Sequence, residues 1–558
     1  MSSRHFVVAA AALLVTACSS TPPRPLALKE MPAINTDAVL ADTKKLSSDE
    51  FGGRKPGTKG EELTVQYLSD QFKAAGAEPG NPDGTWTQKV PMVSLEATDQ
   101  SPLVFKKGGQ SLTLKPHDDV IALSQRVTDA IAVKDSDVVF VGYGVQAPEF
   151  NWDDFKGMDV KGKTIIVLVN DPPVPDPNDK TALDPRTFGG KAMTYYGRWT
   201  YKYEKAAELG AAAVFIVHET APAGYPWNVV QSFGGERLDL QTPDKNMGRA
   251  AIQGWISLDA ATKLFKLAGL DYQKLKAEAA TREFKPVPLK VAGSMSFKQT
   301  QHPTESRNVV ARITGSDPAL KNQYVVYSAH WDHFGTCDAV NGDTICNGAR
   351  DNASGTAMLI ELAREFKKVQ PQPKRSILFL CVTSEEQGLL GSEYYAKFPL
   401  YPLNKTLANI NVDELNVWGR TKDLTVIGLG ASDLDDYARD AAAEQGRTLH
   451  PDSEPEKGFY YRSDHFNFAK VGVPAFDPDS GTDFIGKPAS FGQEKRDEWT
   501  TKFYHQATDE VQPWWDLSGA AEDGALYFAM GYRVANADKF PEWKPGNEFK
   551  AIRDKSLK

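Results

Sequence analysis

Cysteine is scarce in this chain, at four in 558 residues. That excludes a disulfide-built scaffold. No third or fourth cysteine stands at a useful spacing from Cys337 and Cys346, so a thiolate zinc site is a poor reading. An excess of positive charge is missing too. The formal net charge is -9, which argues against nucleic acid as a partner, because neutralising phosphates calls for a basic face. The apolar run near the start, Val7 to Val15, is too short to span a bilayer. A Gly-x-Ser-x-Gly elbow is absent around Ser354, which removes the serine-nucleophile reading. No internal repeat is visible, and no low-complexity block beyond a short N-terminal stretch. What is present is the composition of a globular protein, too long for one ordinary core, so at least two domains are expected.

The first residues read as a targeting segment. Arg4 supplies a short basic region, Val7 to Val15 an apolar one, and Thr16-Ala17 the small residues before Cys18. Leu-Leu-Val-Thr-Ala-Cys-Ser-Ser resembles a bacterial lipobox. The resemblance implies a signal peptide over 1–17, cleavage before Cys18 and lipid attachment to it. Residues 18–34, rich in Ser, Thr and Pro, then form a tether. The expectation is an exported protein, lipid-anchored to a bacterial membrane on its periplasmic or cell-surface side, with no other membrane contact. In that oxidising compartment Cys337 and Cys346 are expected to form a disulfide across a Gly/Asn/Asp-rich loop. Cys381, inside Ile-Leu-Phe-Leu-Cys-Val, reads as a core residue.

Three stretches follow. Residues 35–127 contain an amphipathic helical pattern over Glu61 to Ala75, stopped by Gly76. Residues 128–292 carry strand-like runs at Asp137 and Gly162, a helical run over Tyr201 to Leu209 and another strand from Ala211. Residues 293–540 alternate buried strands (Tyr324-Val-Val-Tyr-Ser, Ser376-Ile-Leu-Phe-Leu-Cys-Val, Thr406-Leu-Ala-Asn-Ile-Asn-Val) with helices, a βαβ texture. The expected fold class is α/β, a mostly parallel or mixed sheet flanked by helices. Residues 541–558 read as a polar, frayed tail.

Against that scaffold one set of residues carries the chemistry: His330, Asp351, Glu385, Glu386, Asp413 and His505. Imidazoles and carboxylates in this ratio suit two zinc ions bridged by one carboxylate. His330, the Glu385-Glu386 pair and Asp413 each follow a strand-like run. In an open α/β sheet such strand ends share one edge, where ligands bind. Asp332 is placed to accept the second N–H of His330. Glu385 and Glu386 are adjacent and diverge, so one can hold metal while the other serves as a base.

His-Trp-Asp, Asp-Asn-Ala-Ser-Gly, Ser-Glu-Glu-Gln-Gly, Asn-Val-Asp and the late Tyr-His together resemble the dizinc aminopeptidases of peptidase family M28. The loop Gly53-Arg-Lys-Pro-Gly-Thr-Lys-Gly and the run from Ser463 to Ala475 resemble it too. The resemblance implies a zinc exopeptidase fold with a discontinuous catalytic domain, 35–127 and 293–540. It implies two zinc ions and peptide substrates. Asp351 would bridge the metals, His330 and Asp413 completing one site, Glu386 and His505 the other. Glu385 would be the general base acting on a metal-bridging water, and Tyr504 would steady the oxyanion. Gly142-Tyr-Gly, Asp159-Val-Lys-Gly-Lys and the run from Lys205 resemble a protease-associated (PA) domain, implying a β-rich insert over 128–292 without catalytic groups.

Other readings stay open. A carboxypeptidase of the same fold is the main rival; glutaminyl cyclase, thought to use one metal, and a non-catalytic binding protein fit the full ligand set less well. Arg350 meets either a substrate carbonyl or carboxylate, or a surface acid. His333 and His465 read as ordinary core or surface histidines, and Asp464 and Asp509 as supporting or loop-capping groups.

Overall fold

The computed structural model describes residues 26–558; the signal, the lipobox and Cys18 lie outside them. Three strands, Tyr324–His330, Ser376–Val382 and Thr406–Asn411, run parallel, with Tyr324–His330 in the middle. Parallel strands need crossovers, and the helix Gly355–Lys368 supplies the first. Ala475–Asp479 extends the sheet on one side, followed by Asp423–Ile427 and Thr448–Pro451. On the other side the end of Val287–Ile313 pairs antiparallel with Ser376–Val382. The result is the expected mixed α/β sheet.

Side-chain alternation builds two cores from this sheet. Val325, Tyr327, Ala329, Ile377 and Phe379 pack on one face against the helices Thr36–Leu46, Lys59–Ala74, Gly355–Lys368 and Ser518–Asn536. Tyr324, Val326, Leu378, Leu380 and Val382 point to the other, towards Tyr395, Phe468 and Trp543. Every residue of the Tyr324–His330 and Ser376–Val382 strands is buried, which fits their unbroken apolar character.

A second group of strands joins the first through one element. Val287–Ile313 runs 27 residues; its first part pairs with Ala130–Phe140, its last with Ser376–Val382. Within the second group Thr164–Leu168, Ala213–His218 and Ile252–Ser257 are parallel neighbours. The expected start of the insert at 128 is too late. Val120–Leu123 pairs with Gln253–Ile256, and Leu103–Lys107 with Ala292–Ser294, so both belong to the insert's strands. Their β-texture matched that of either sheet, and only pairing distinguishes the two.

The frayed C-terminal tail also needs correction. Trp543, Phe549 and Arg553 are buried, and the Arg553 guanidinium donates to the carbonyls of Leu403 and Thr406. Two aromatic anchors dock this segment. Cys337 and Cys346 are bonded across the hairpin Gly335–Val340/Asp343–Cys346, and Cys381 is buried. Among the described residues no helix is long and apolar enough to cross a membrane.

Candidate metal centre

His330 closes its strand, and Glu385, Glu386 and Asp413 follow the two strands beside it, so parallel pairing alone brings these groups to one edge. Asp351 arrives on the turn before the helix Gly355–Lys368, and His505 on the loop after the helix Phe491–Lys502. The five residues expected to hold metal converge. His330 Nε2 lies 3.2 Å from Asp351 Oδ1 and 3.3 Å from Asp413 Oδ1. His505 Nε2 lies 3.3 Å from the other Asp351 oxygen and 3.2 Å from Glu386 Oε2. Asp351 thus offers one oxygen to each imidazole.

The donor set fits cations. His330 Nδ1 faces the backbone carbonyl of Asp332 at 3.2 Å, and donating there leaves the Nε2 lone pair aimed at two carboxylates. That arrangement is repulsive unless a proton or a metal ion lies between. Burial raises the Glu386 carboxyl well above its ordinary value, and the charges of Asp351 and Glu385 add to the shift. Asp351 moves the other way despite its burial, because both imidazoles hydrogen-bond to it. Ligand atoms of His330, Asp351 and Glu386 lie within 4.8 Å of one another. Divalent ions relieve such crowding of negative charge.

The supporting shell differs from expectation at two places. Asp332 takes the His330 N–H through its backbone oxygen; its carboxylate is 3.8 Å away and accepts instead from the Glu385 backbone N–H at 3.0 Å. Proximity in sequence identified the right residue and the wrong atom. His333 is the hydrogen-bonded core histidine expected, but its partner belongs to the expected ligand set. It is fully buried, and its Nδ1 meets Glu386 Oε1 at 2.5 Å, so it orients the oxygen that His505 does not face. A second histidine three residues along, in the same loop, was the available signal.

The loop expected from Gly53 onwards also proves structural to the site. The buried Arg54 guanidinium donates to the carbonyls of Trp331, Leu46, Asn347 and Gly348, tying the loops on either side of His330 and Asp351 together. Asp509 caps the backbone N–H groups of Arg350 (2.9 Å) and Asp351 (3.1 Å), the loop-capping part expected of it. Gly355 is needed for close approach: a Cβ there would stand 2.3 Å from both Asn352 Oδ1 and Val412 O. Ser354 is spent on the Arg350 carbonyl and the Leu415 N–H. His465 and Asp464 are buried beside the site, Asp464 accepting from Ser392.

Arg350 pairs with an acid, but within the site and not on the surface as expected. It pairs with Glu414 at 2.8 Å, 3% exposed, between the rings of Trp418 and Trp499. Glu385 makes no side-chain hydrogen bond among the described residues. Enclosure raises its carboxyl well above the ordinary range; His330 opposes the shift, and Asp413, Asp464 and Asp351 add to it. Tyr504 is partly exposed, its ring stacked on His505 at 3.7 Å. The cluster opens into a cleft of about 630 Å³ lined also by Glu414, Arg462 and Trp499.

Two imidazoles sharing one buried carboxylate, at the carboxyl edge of a mixed α/β sheet, with a free glutamate alongside, make a donor set suited to metal ions. Residues 308–529 match the family model of Peptidase family M28. A "Probable zinc metalloprotease" of Pyrenophora teres f. teres (strain 0-1) is 43% identical over 95 residues, 17% of this chain and 19% of that one. The mouse "Aminopeptidase NAALADL1" is 37% identical over 113 residues, 19% of this chain and 13% of that one. The matched stretches span less than a fifth of either relative's length. Among solved structures, the aminopeptidase from Aneurinibacillus sp. strain AM-1 covers 91% of this chain and 95% of its own, at 17% identity and TM-score 0.46.

Proposed function

We propose that this chain is an exported dizinc aminopeptidase that removes N-terminal residues from peptides. The observation that carries the reading is the Asp351 carboxylate, divided between His330 and His505 with Glu385 beside it. Asp351 is the shared ligand; His330 and Asp413 complete one position, Glu386 and His505 the other. These residues would hold two zinc ions, which when bound would supply Lewis acidity and lower the pKa of a water.

The remaining work falls to the protein. Glu385, enclosed and unpartnered, takes the proton from the attacking water as oxygen adds to the carbonyl carbon. It returns that proton to the departing amine as the C–N bond breaks. Asp332 holds both partners, taking the Glu385 N–H on its carboxylate and the His330 N–H on its carbonyl. Tyr504, beside His505 at the rim, is the hydroxyl available to the developing oxyanion. Arg350 is committed to Glu414 and is not free to meet a substrate carboxylate.

Paired peptide sets test the reading, one acetylated at the N-terminus and one amidated at the C-terminus. Hydrolysis abolished by acetylation supports the aminopeptidase; hydrolysis that survives it, and ends on amidation, favours the carboxypeptidase. The protease-associated identity of the insert and the lipid at Cys18 belong to the same proposal. Cys18→Ser is expected to move the protein from the membrane fraction to the soluble one; a variant that stays with the membrane contradicts the anchor.

A further inference from the structure

Beside the metal cleft lies a second cavity of about 350 Å³, between the insert strands and the peptidase segment. It shares Glu385, Glu386, Tyr504, His505 and Arg462 with the cleft, so an extended ligand at the metal centre can continue into it. Its wall holds three guanidiniums that form no ion pair among the described residues, Arg198, Arg237 and Arg462. Arg198, from the insert, makes no side-chain hydrogen bond or ion pair among the described residues, and its Nε is buried without a partner. Its charged neighbour is the like charge of Arg462, whose only side-chain hydrogen bond among the described residues goes to the Lys457 carbonyl.

Nearby acids do not neutralise the pair. Glu204 is taken by Lys470 and the Tyr195 hydroxyl, and Glu393 by Arg249 and Lys397. Asp239 faces Arg249 and accepts from the Leu240 N–H. Deeper in the same wall Gln253, fully buried, leaves both amide atoms without partners. Cations lining one cavity without a counter-ion are costly unless a ligand anion completes them.

We propose that Arg198 and Arg462 together bind a carboxylate of the peptide substrate, contributed by one residue from each of the two parts of the chain. The carboxylate is either the C-terminus of a short peptide or an acidic side chain. This assignment rests on the peptidase reading, and makes the second cavity the end of the site that selects for negative charge.

The test is the ratio of kcat/KM for a free-acid tripeptide over its C-terminal amide, with a third, amidated peptide carrying glutamate at the second position. Purified, zinc-loaded full-length protein is compared with Arg198→Gln and with Arg462→Gln. The wild type should favour a carboxylate-bearing peptide over the neutral amide by about 10- to 100-fold, as for a charge-assisted pair. Both variants should bring that ratio close to one. Preference for the free acid alone identifies the terminal carboxylate, and preference for the glutamyl amide the side chain. Turnover of all three peptides at equal efficiency, or a preference that survives both substitutions, overturns the carboxylate site while leaving the peptidase reading intact. No turnover of any peptide by the wild type overturns the peptidase reading, and this assignment with it.

Discussion

The buried ring of His333 meets the Glu386 carboxylate at 2.5 Å, through the oxygen that does not face His505. Burial pushes the His333 imidazole down to about 3, so it is neutral at working pH and acts as an N–H donor. On the proposed reading it aims the Glu386 carboxylate at metal and does not bind metal itself. His333→Ala should weaken zinc binding by about 10- to 100-fold, the usual effect of losing such an orienting partner. Competition with a chelator measures it; unchanged affinity would show that the contact positions nothing.

Glu385 is the predicted base, and its removal should separate chemistry from metal binding. Glu385→Gln is expected to lower kcat by about 10²- to 10⁴-fold, the range for general-base catalysis. Zinc content should stay at the wild-type level. Near-normal kcat in this variant would assign the base elsewhere.

Glu548 links the docked C-terminal segment to both parts of the chain. It accepts from the Tyr461 hydroxyl at 2.8 Å and from the Tyr195 backbone N–H at 3.2 Å. Burial raises its carboxyl from 4.5 to about 8; hydrogen bonding to Tyr461 opposes the shift and the Asp171 charge adds to it. Between those values the folded chain holds a proton that the unfolded chain has released, so stability falls as pH rises. The contribution is full below 4.5 and is lost on passing through about 8. Glu548→Gln should therefore show a flatter fall in melting temperature from pH 5 to pH 8 than the wild type. Parallel slopes in thermal scans would contradict the shift.

Much of the centre was legible because strands announce themselves. Tyr324–His330, Ser376–Val382 and Thr406–Asn411 are continuous apolar runs, and their parallel pairing puts whatever follows each one on the same edge. His330, Glu385, Glu386 and Asp413 were readable for that reason. His333 was not, because a loop histidine carries no periodicity to say which way it faces. The start of the insert was missed on similar grounds: Val120–Leu123 looks like any buried strand until its partner Gln253–Ile256 is known. The strand Val287–Ile313, running through both sheets, hid the junction further. In the C-terminal segment, Trp543 and Phe549 anchor a stretch whose overall polarity suggested fraying. Arg198 and Arg462 lie far apart in sequence, and only the folded chain brings them to one wall.

Zinc content per chain, in the wild type and in Asp351→Ala, tests the two-metal centre most directly. Two zinc ions in the wild type, with both lost or greatly weakened in the variant, is the predicted result. A single zinc in the wild type, or a variant that keeps two, would contradict a centre built on one shared carboxylate.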